Sequence, residues 1–268
     1  MITREIFESV CPSAVMPDET VFNRIQDYIS AAEEVVGRVM GDQWQDYEDN
    51  ATLALPAHRV ICLHAYWEAL PHLDIVLTET GLGVVSNQNV APASSDRVNR
   101  LRKQIQDSRD DAMDDLIDAL RAVPEWIPSF AAGKLFSSLV WNARLQLPIM
   151  GVSDAHRTKL TELAPKINAA EELLRHHISG ELFYELCSIQ LNNTATAEQN
   201  TVINKSLFFI GAYLSSDMPM ARFHLAKLVE YLEQHLDVFD TYAQSTAHQA
   251  NTFTPYENKK DDTTYFFG

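Results

Sequence analysis

The chain has 268 residues, and its 21 Lys and Arg face 37 Asp and Glu, a formal net charge of 21 − 37 = −16. With 46% hydrophobic and 22% charged residues it has the composition of a folded globular protein, which excludes collagen, mucin-like and wholly disordered classes. The acidic surplus also argues against a protein that grips nucleic acid through phosphates, since such contacts need an excess of Lys and Arg.

Helical periodicity dominates the chain from its beginning. After the acidic turn Asp18-Glu19, apolar residues at Val21, Phe22, Ile25, Ile29, Ala32, Val35, Val36 and Val39 recur at steps of three and four, predicting an amphipathic helix that stops at Gly41. Beyond the polar stretch Asp42–Asn50 comes a second helix over about Leu55 to Leu70. Its centre, Val60-Ile61-Cys62-Leu63, is apolar enough for a buried position, and Pro71 is expected to end it. Two β-branched runs, Leu73–Thr78 and Leu82–Ser86, flank a Gly-containing turn and predict a hairpin over 73–86. Ser94-Ser95-Asp96 supplies cap side chains for a third helix lasting to about Val123, stopped by Pro124 and Pro128.

The following residues, 124–152, read as a linker in which Leu135–Leu147 holds a strand pair or a short helix. Then the grammar repeats. Ser153-Asp154 is expected to cap a helix with Leu160, Leu163, Ile167, Ala170, Leu173 and Leu174 on one face, interrupted at Gly180 before the apolar run Leu182–Ile189. A helix Ala197–Leu214 follows, and Ser215-Ser216-Asp217 opens a last long helix to about His248. Ile29-Ser30-Ala31-Ala32-Glu33-Glu34-Val35-Val36 matches Ile167-Asn168-Ala169-Ala170-Glu171-Glu172-Leu173-Leu174, and both third helices begin Ser-Ser-Asp. Agreement in element order, character and caps predicts an internal duplication. The expected architecture is therefore mainly α: a first helical unit over 1–123 with an inserted β-hairpin, a second over 153–248, and an extended C-terminal tail over 249–268.

A search for chemistry finds little. There is no phosphate loop, nucleophile elbow or H-E-x-x-H pattern, and Gly81-Leu82-Gly83 lacks the third glycine of a dinucleotide site. The Glu-x-x-His pair of di-iron bundles is missing as well. Glu68/His72 and Glu172/His176 stand at i, i+4, a spacing that more often stabilises an exposed helix than holds a metal. Cys11, Cys62 and Cys187 are odd in number and far apart, and read as thiols in a reducing compartment. No apolar run is long enough for a membrane helix, and Met1–Glu5 lacks the layout of a signal peptide. The expectation is a non-enzyme with no cofactor, no metal and no membrane. A helical-bundle metal protein or enzyme using the His and Glu residues is the rival reading.

Charge order in the third helix is informative. Arg97, Arg100, Arg102 and Lys103 occupy its first turns, and Asp107, Asp110, Asp111, Asp114, Asp115 and Asp118 fill the remainder. An isolated helix prefers the opposite order, acids first and bases last. One explanation is contact between subunits, the basic end of one meeting the acidic stretch of the next, in a head-to-tail association that closes into a ring or opens into a filament. The other is a solvated charged face with no partner.

The opening Ile2-Thr3, the acidic turn Asp18-Glu19, the Ile29–Val36 helix ending at Gly41, and Pro56 followed by Ala57 through Ala65-Tyr66-Trp67-Glu68 together resemble the head–tail connector (adaptor) proteins of tailed phages. The stretch Leu73–Thr78, Gly81–Asn87 and Ala91–Ser94 is similar to an uncharacterised family from phages and prophages of Bacteroides-type bacteria. The resemblance spans roughly residues 1–125 and reaches the second half only through the internal repeat. It implies a virion structural protein of the neck, made in the host bacterial cytoplasm. Its copies would form a homo-oligomeric ring, a dodecamer by this resemblance, beneath the portal protein and beside tail or neck proteins, prolonging a channel through which DNA passes without sequence recognition. Another neck or tail-completion protein is the nearest alternative. On this reading Arg97, Arg100, Arg102, Lys103, Asp107, Asp111, Asp114, Asp115 and Asp118 make subunit contacts, Ile75, Leu77, Leu82 and Val84 of the hairpin touch a neighbour or the channel, and Tyr265, Phe266 and Phe267 form a C-terminal anchor.

Overall fold

A computed structural model describes residues 2–12, 19–73, 75–78, 81–84 and 94–252, the two short strands by their backbone alone. The protein is mainly helical. Helix α1 (Arg4–Val10) begins at Thr3, whose side chain accepts from the Ile6 N–H. Helix α2 (Glu19–Met40) buries Ile25, Ile29, Ala32 and Val36 of the predicted stripe, and Met40 beyond it, while Val35 and Val39 are only half-buried. Gly41 ends it in the left-handed region (φ +60°), and 3-10 turns then lead through the polar stretch to α3 (Ala51–Leu73). Helix α3 starts a turn earlier than expected and runs past Pro71, which lacks an N–H for the last turn, to end at Leu73 two residues later. It is buried on nearly every side.

β1 (Ile75–Thr78) and β2 (Gly81–Val84) pair antiparallel, with Ile75 opposite Val84 and Thr78 opposite Gly81. The side chains of Ile75, Leu77, Leu82 and Val84 lie outside the described residues. Helix α4 (Ser95–Leu120) runs antiparallel to α3, with Arg59 3.7 Å from Asp115 at one end and Trp67 against Arg102 and Arg109 at the other.

The stretch 124–152 departs from expectation. It holds no strand but the short helices α5 (Phe130–Leu135) and α6 (Ala143–Gln146), and it is no linker, because Trp126, Phe136, Leu139, Val140, Trp141, Leu147 and Met150 are buried. Glu171 accepts from Ser138 Oγ and the Leu139 N–H, while Gln146 accepts from the N–H groups of Trp141 and Asn142. Gln190 accepts from the Trp141 indole. Three buried side chains thus stand in for the ladder partners this irregular backbone lacks.

Helix α7 (Arg157–Ile178) starts at His156 rather than at Ser153-Asp154. Ser179 (φ 76°) turns the chain into α8 (Gly180–Asn192), and α9 (Ala197–Leu214) opens on a capping box between Thr196 and Gln199. Helix α10 (Met218–Glu233), capped by Asp217, stops well short of His248. Gln234–Phe239 is not helical, and α11 (Asp240–Ala243) and α12 (Thr246–Thr252) fold back so that Phe239 and Tyr242 are buried. Residues 249–252 therefore belong to a helix and not to an extended tail. Tyr265, Phe266 and Phe267 lie outside the described residues.

Two apolar cores result. One gathers α1–α4 with Trp126, Phe136 and Trp141, and the other gathers Leu139 through Met150 with α7–α12. They meet at residues 136–143.

Candidate functional site: the acidic face of α4 and the groove beside α7

Asp110 and Asp114 stand one helical turn apart on α4 and are almost fully buried, at 3% and 1% exposure. Burying two carboxylates is costly unless each is paired and hydrogen-bonded, and both are. Asp110 accepts from the Thr158 N–H at 2.6 Å and from the Arg109 guanidinium at 2.7 Å. Asp114 accepts from the Arg144 N–H at 3.1 Å and from Arg157 Nε at 2.8 Å, and Arg157 also donates to the Trp141 carbonyl. Each carboxylate therefore sits at the N-terminus of another helix, Asp110 on α7 and Asp114 on α6. Those helix ends carry unpaired N–H groups and partial positive charge. Burial pushes the Asp114 carboxyl up from its ordinary range, against the opposing pull of Arg157 and the Arg144 N–H.

Most of the remaining charged stripe is also occupied within the chain. Asp107 pairs with Lys103 at 2.7 Å, Asp115 with Arg144 at 2.6 Å and Asp118 with Arg121 at 2.6 Å. His156 lies 3.4 Å from Asp111 and 3.7 Å from Asp107. Arg102 and Arg109 stack on Trp67, at 4.8 and 4.6 Å from the ring. From Arg102 to Asp118 the charged residues named here thus have partners inside one chain. This corrects the expectation for Asp114, which no second subunit can touch while it is buried here. Arg97 and Arg100 differ: both are exposed and neither pairs with a described carboxylate. Sequence reasoning missed Arg144, Arg157 and Thr158, because their partners are 29 to 48 residues away.

Beside this junction an open groove of about 640 Å³ runs between α2 and α7, floored by α5 and the turn after it. Val35, Val39, Leu135 and Ala164 give it an apolar lining, with Arg38 and Lys134 at its edge. Phe130, one turn before Lys134 on α5, is 88% exposed.

The carboxylates and histidines do not converge as ligands: among the described residues no group of three or more His, Cys, Asp or Glu side chains could hold a metal ion. Burial drives the Cys11 and Cys187 thiols up to about 12, and Cys62 is raised too, so none is an activated nucleophile. No described helix is long and apolar enough to cross a membrane.

Residues 18–133 match a family described as "Family of unknown function (DUF6712)". The match takes in α2–α4 and ends inside α5. No curated protein and no solved structure is detectably similar to the chain.

Proposed function

We propose that the protein is a non-enzymatic structural subunit of a phage virion, a head–tail connector that assembles as a ring on the portal and extends the DNA exit channel. The observation that carries this reading is the correspondence between the connector-like motif and the residues that build the first helical unit. Ile29, Ala32 and Val36 form the buried face of α2. Tyr66 packs edge-on against Phe7, and Trp67 is the plate on which Arg102 and Arg109 of α4 stack.

The second unit is a diverged copy of the first on this proposal. Ile29, Ala32, Val36 and Met40 of α2 and Ile167, Ala170, Leu174 and Ile178 of α7 are buried at matching positions, and α9–α10 repeats the antiparallel pairing of α3–α4. Helix α8 has no counterpart in the first half. The β1–β2 hairpin, with Ile75, Leu77, Leu82 and Val84, is the element offered to a neighbour or to the channel, and Tyr265, Phe266 and Phe267 are the anchor. A net charge of −16 suits a channel wall that repels DNA and lets it slide.

The test is mass photometry of the protein alone and with the portal protein encoded beside it. A ring-sized species in either sample supports the connector reading, and a monomer or small dimer indifferent to portal overturns it. Within a ring, Arg97→Glu with Arg100→Glu is expected to block assembly while leaving the far-ultraviolet circular dichroism unchanged. Normal rings would remove those two residues from the interface. Arg102 is a poor choice for this test, since it packs on Trp67 and its loss would disturb the fold.

A further inference from the structure

Exposed rings gather on the outer face of α9 and α10. Phe208 of α9 stacks on His224 of α10 at 5.6 Å between ring centres, and Phe223 meets the same imidazole edge-on at 5.6 Å. Phe208 is 45% exposed, Phe223 54%, and Met220, one turn before His224, 45%. The side of α10 that faces the core carries Ala221, Leu228 and Leu232 instead. Apolar surface gathered in one place, rather than scattered singly, marks a contact site. The charges on α10 are disposed about one point. Ala226 is exposed, with Arg222 four residues before it and Glu230 four residues after it, both exposed as well. Arg222 pairs with no described carboxylate, and Glu230 gives only Oε2 to Lys227, at 2.6 Å.

We propose that this face is where two copies of the chain meet, about a two-fold axis that passes beside Ala226 and sets α10 antiparallel to α10 of the second copy. A two-fold contact brings the same patch to both sides, so a residue a given distance before the axis faces the residue the same distance after it. Arg222 of each copy then lies opposite Glu230 of the other, and both unpaired guanidinium groups gain a carboxylate. The small side chain of Ala226 lets the two helices approach, with Phe223 and Phe208 closing over the space on either side. The area suits a reversible dimer. Helix α10 has 16 residues, about 24 Å at 1.5 Å per residue. With α9 packed about 8–10 Å away, the face is about 20 Å wide. That is roughly 480 Å² on each copy and about 1,000 Å² for the pair, the lower limit for a specific interface. The inference goes beyond the connector reading and does not rest on it: the contact uses α9 and α10 rather than Arg97 and Arg100, and it needs no portal.

Sedimentation velocity and cross-linking of the full-length protein test it. The protein is expected to sediment as a monomer in the nanomolar range and as a dimer at high micromolar concentration. Ala226→Cys places one reactive thiol per chain beside the axis, the native cysteines being buried, and a short bismaleimide should join two chains in a product of dimer mass. Lys166→Cys, exposed on α7, gives the rate of random collision and should react about tenfold more slowly or less, since a formed dimer raises the effective concentration of the paired thiols. Arg222→Glu sets like charges opposite each other and should weaken the dimer about tenfold across the two symmetric pairs. Adding Glu230→Arg restores opposite charges and should recover it. Phe223→Ser should also weaken the dimer, with the far-ultraviolet circular dichroism unchanged. A monomer at every concentration would assign the face to a different partner and overturn the proposal. So would a dimer in which Ala226→Cys reacts no faster than Lys166→Cys, because the contact would then lie elsewhere. A charge-swapped double variant as weak as Arg222→Glu would overturn the antiparallel register, and the proposal with it.

Discussion

Asp114 meets two donors at once, the Arg157 guanidinium and the N–H of Arg144 at the start of α6. Asp114→Ala leaves the part-buried Arg157 guanidinium and a helix N-terminus without their acceptor, and losing such a charge-assisted hydrogen bond costs about 1.5–3 kcal/mol. Asp114→Asn keeps an acceptor oxygen and should cost clearly less. Urea denaturation reads both: the midpoint should fall with the slope unchanged, and a loss below about 1 kcal/mol for Ala would mean that water takes the carboxylate's place. The buried thiols give a second residue-scale prediction. Cys11, Cys62 and Cys187 have folded pKa values raised far above the unfolded thiol near 8.5. Above that pH the unfolded chain releases protons that the folded chain keeps. Stability is then full below about pH 8.5 and is lost as pH rises from there toward the raised folded values. Each thiol contributes about 1.4 kcal/mol per pH unit once its unfolded form is ionised. Cys62→Ala should flatten the fall in stability between pH 9 and 10.5 by about that amount, although it lowers stability at neutral pH by leaving a small cavity. An alkaline slope identical to that of the parent would show that Cys62 ionises in the folded state.

At the scale of elements, the joint between α9 and α10 shows which structural signals are local. Ser216 takes a left-handed conformation (φ 62°), its N–H donates to the Tyr213 carbonyl, and Asp217 N–H donates to the Ala212 carbonyl, the two bonds of a Schellman ending. Asp217 then caps α10 through its side chain. A left-handed serine costs about 1–2 kcal/mol that glycine avoids, and the exposed Ser216 side chain makes no hydrogen bond to a described residue. Ser216→Gly is therefore expected to raise the thermal midpoint, by roughly 2–4 °C in a chain of this size for each kcal/mol gained. A lowered midpoint would show that the entropy glycine adds to the unfolded chain outweighs the relief. Where signals are local, the elements were legible in the sequence: α9 spans Ala197–Leu214 as expected, and Ile25, Ile29, Ala32 and Val36 of α2 are buried at predicted positions. Where the deciding partner is distant, they were not. Helix α7 begins at Arg157 because Asp110 of α4 meets the Thr158 N–H, and no local residue announces that start. The turns over 137–142 look like a linker because their hydrogen bonds go to Glu171, Gln146 and Gln190 rather than to neighbouring backbone. Helix α10 ends at Glu233 with no Gly or Pro to mark it, and the bend that follows lets Phe239 and Tyr242 reach the core. The candidate site divides in the same way. The charged stripe of α4 was visible, but its partners on α6 and α7 and the groove between α2 and α7 exist only after folding.

For the whole molecule the question is whether two cores behave as one. They share the seam at residues 136–143, and α4 of the first core caps α6 and α7 of the second through Asp110 and Asp114. Arg121 adds a third tie, donating to the Gln190 carbonyl and lying 4.5 Å from the Trp141 ring. Such ties make separate unfolding expensive, since opening the junction exposes buried carboxylates and two uncapped helix ends together. The parent protein should therefore lose all its structure in one transition, with different probes coinciding. The four tryptophans make this measurable, because Trp44, Trp67, Trp126 and Trp141 all pack in or against the first core, whereas far-ultraviolet circular dichroism reports every helix. In Asp110→Ala/Asp114→Ala the two signals should separate, with helical signal from α7–α12 lost at lower denaturant than tryptophan fluorescence. If the curves still coincide, the apolar seam at Phe136, Leu139 and Trp141 couples the cores without help from α4. In that case the acidic stripe owes its place to the orientation of α7, and through it to the groove.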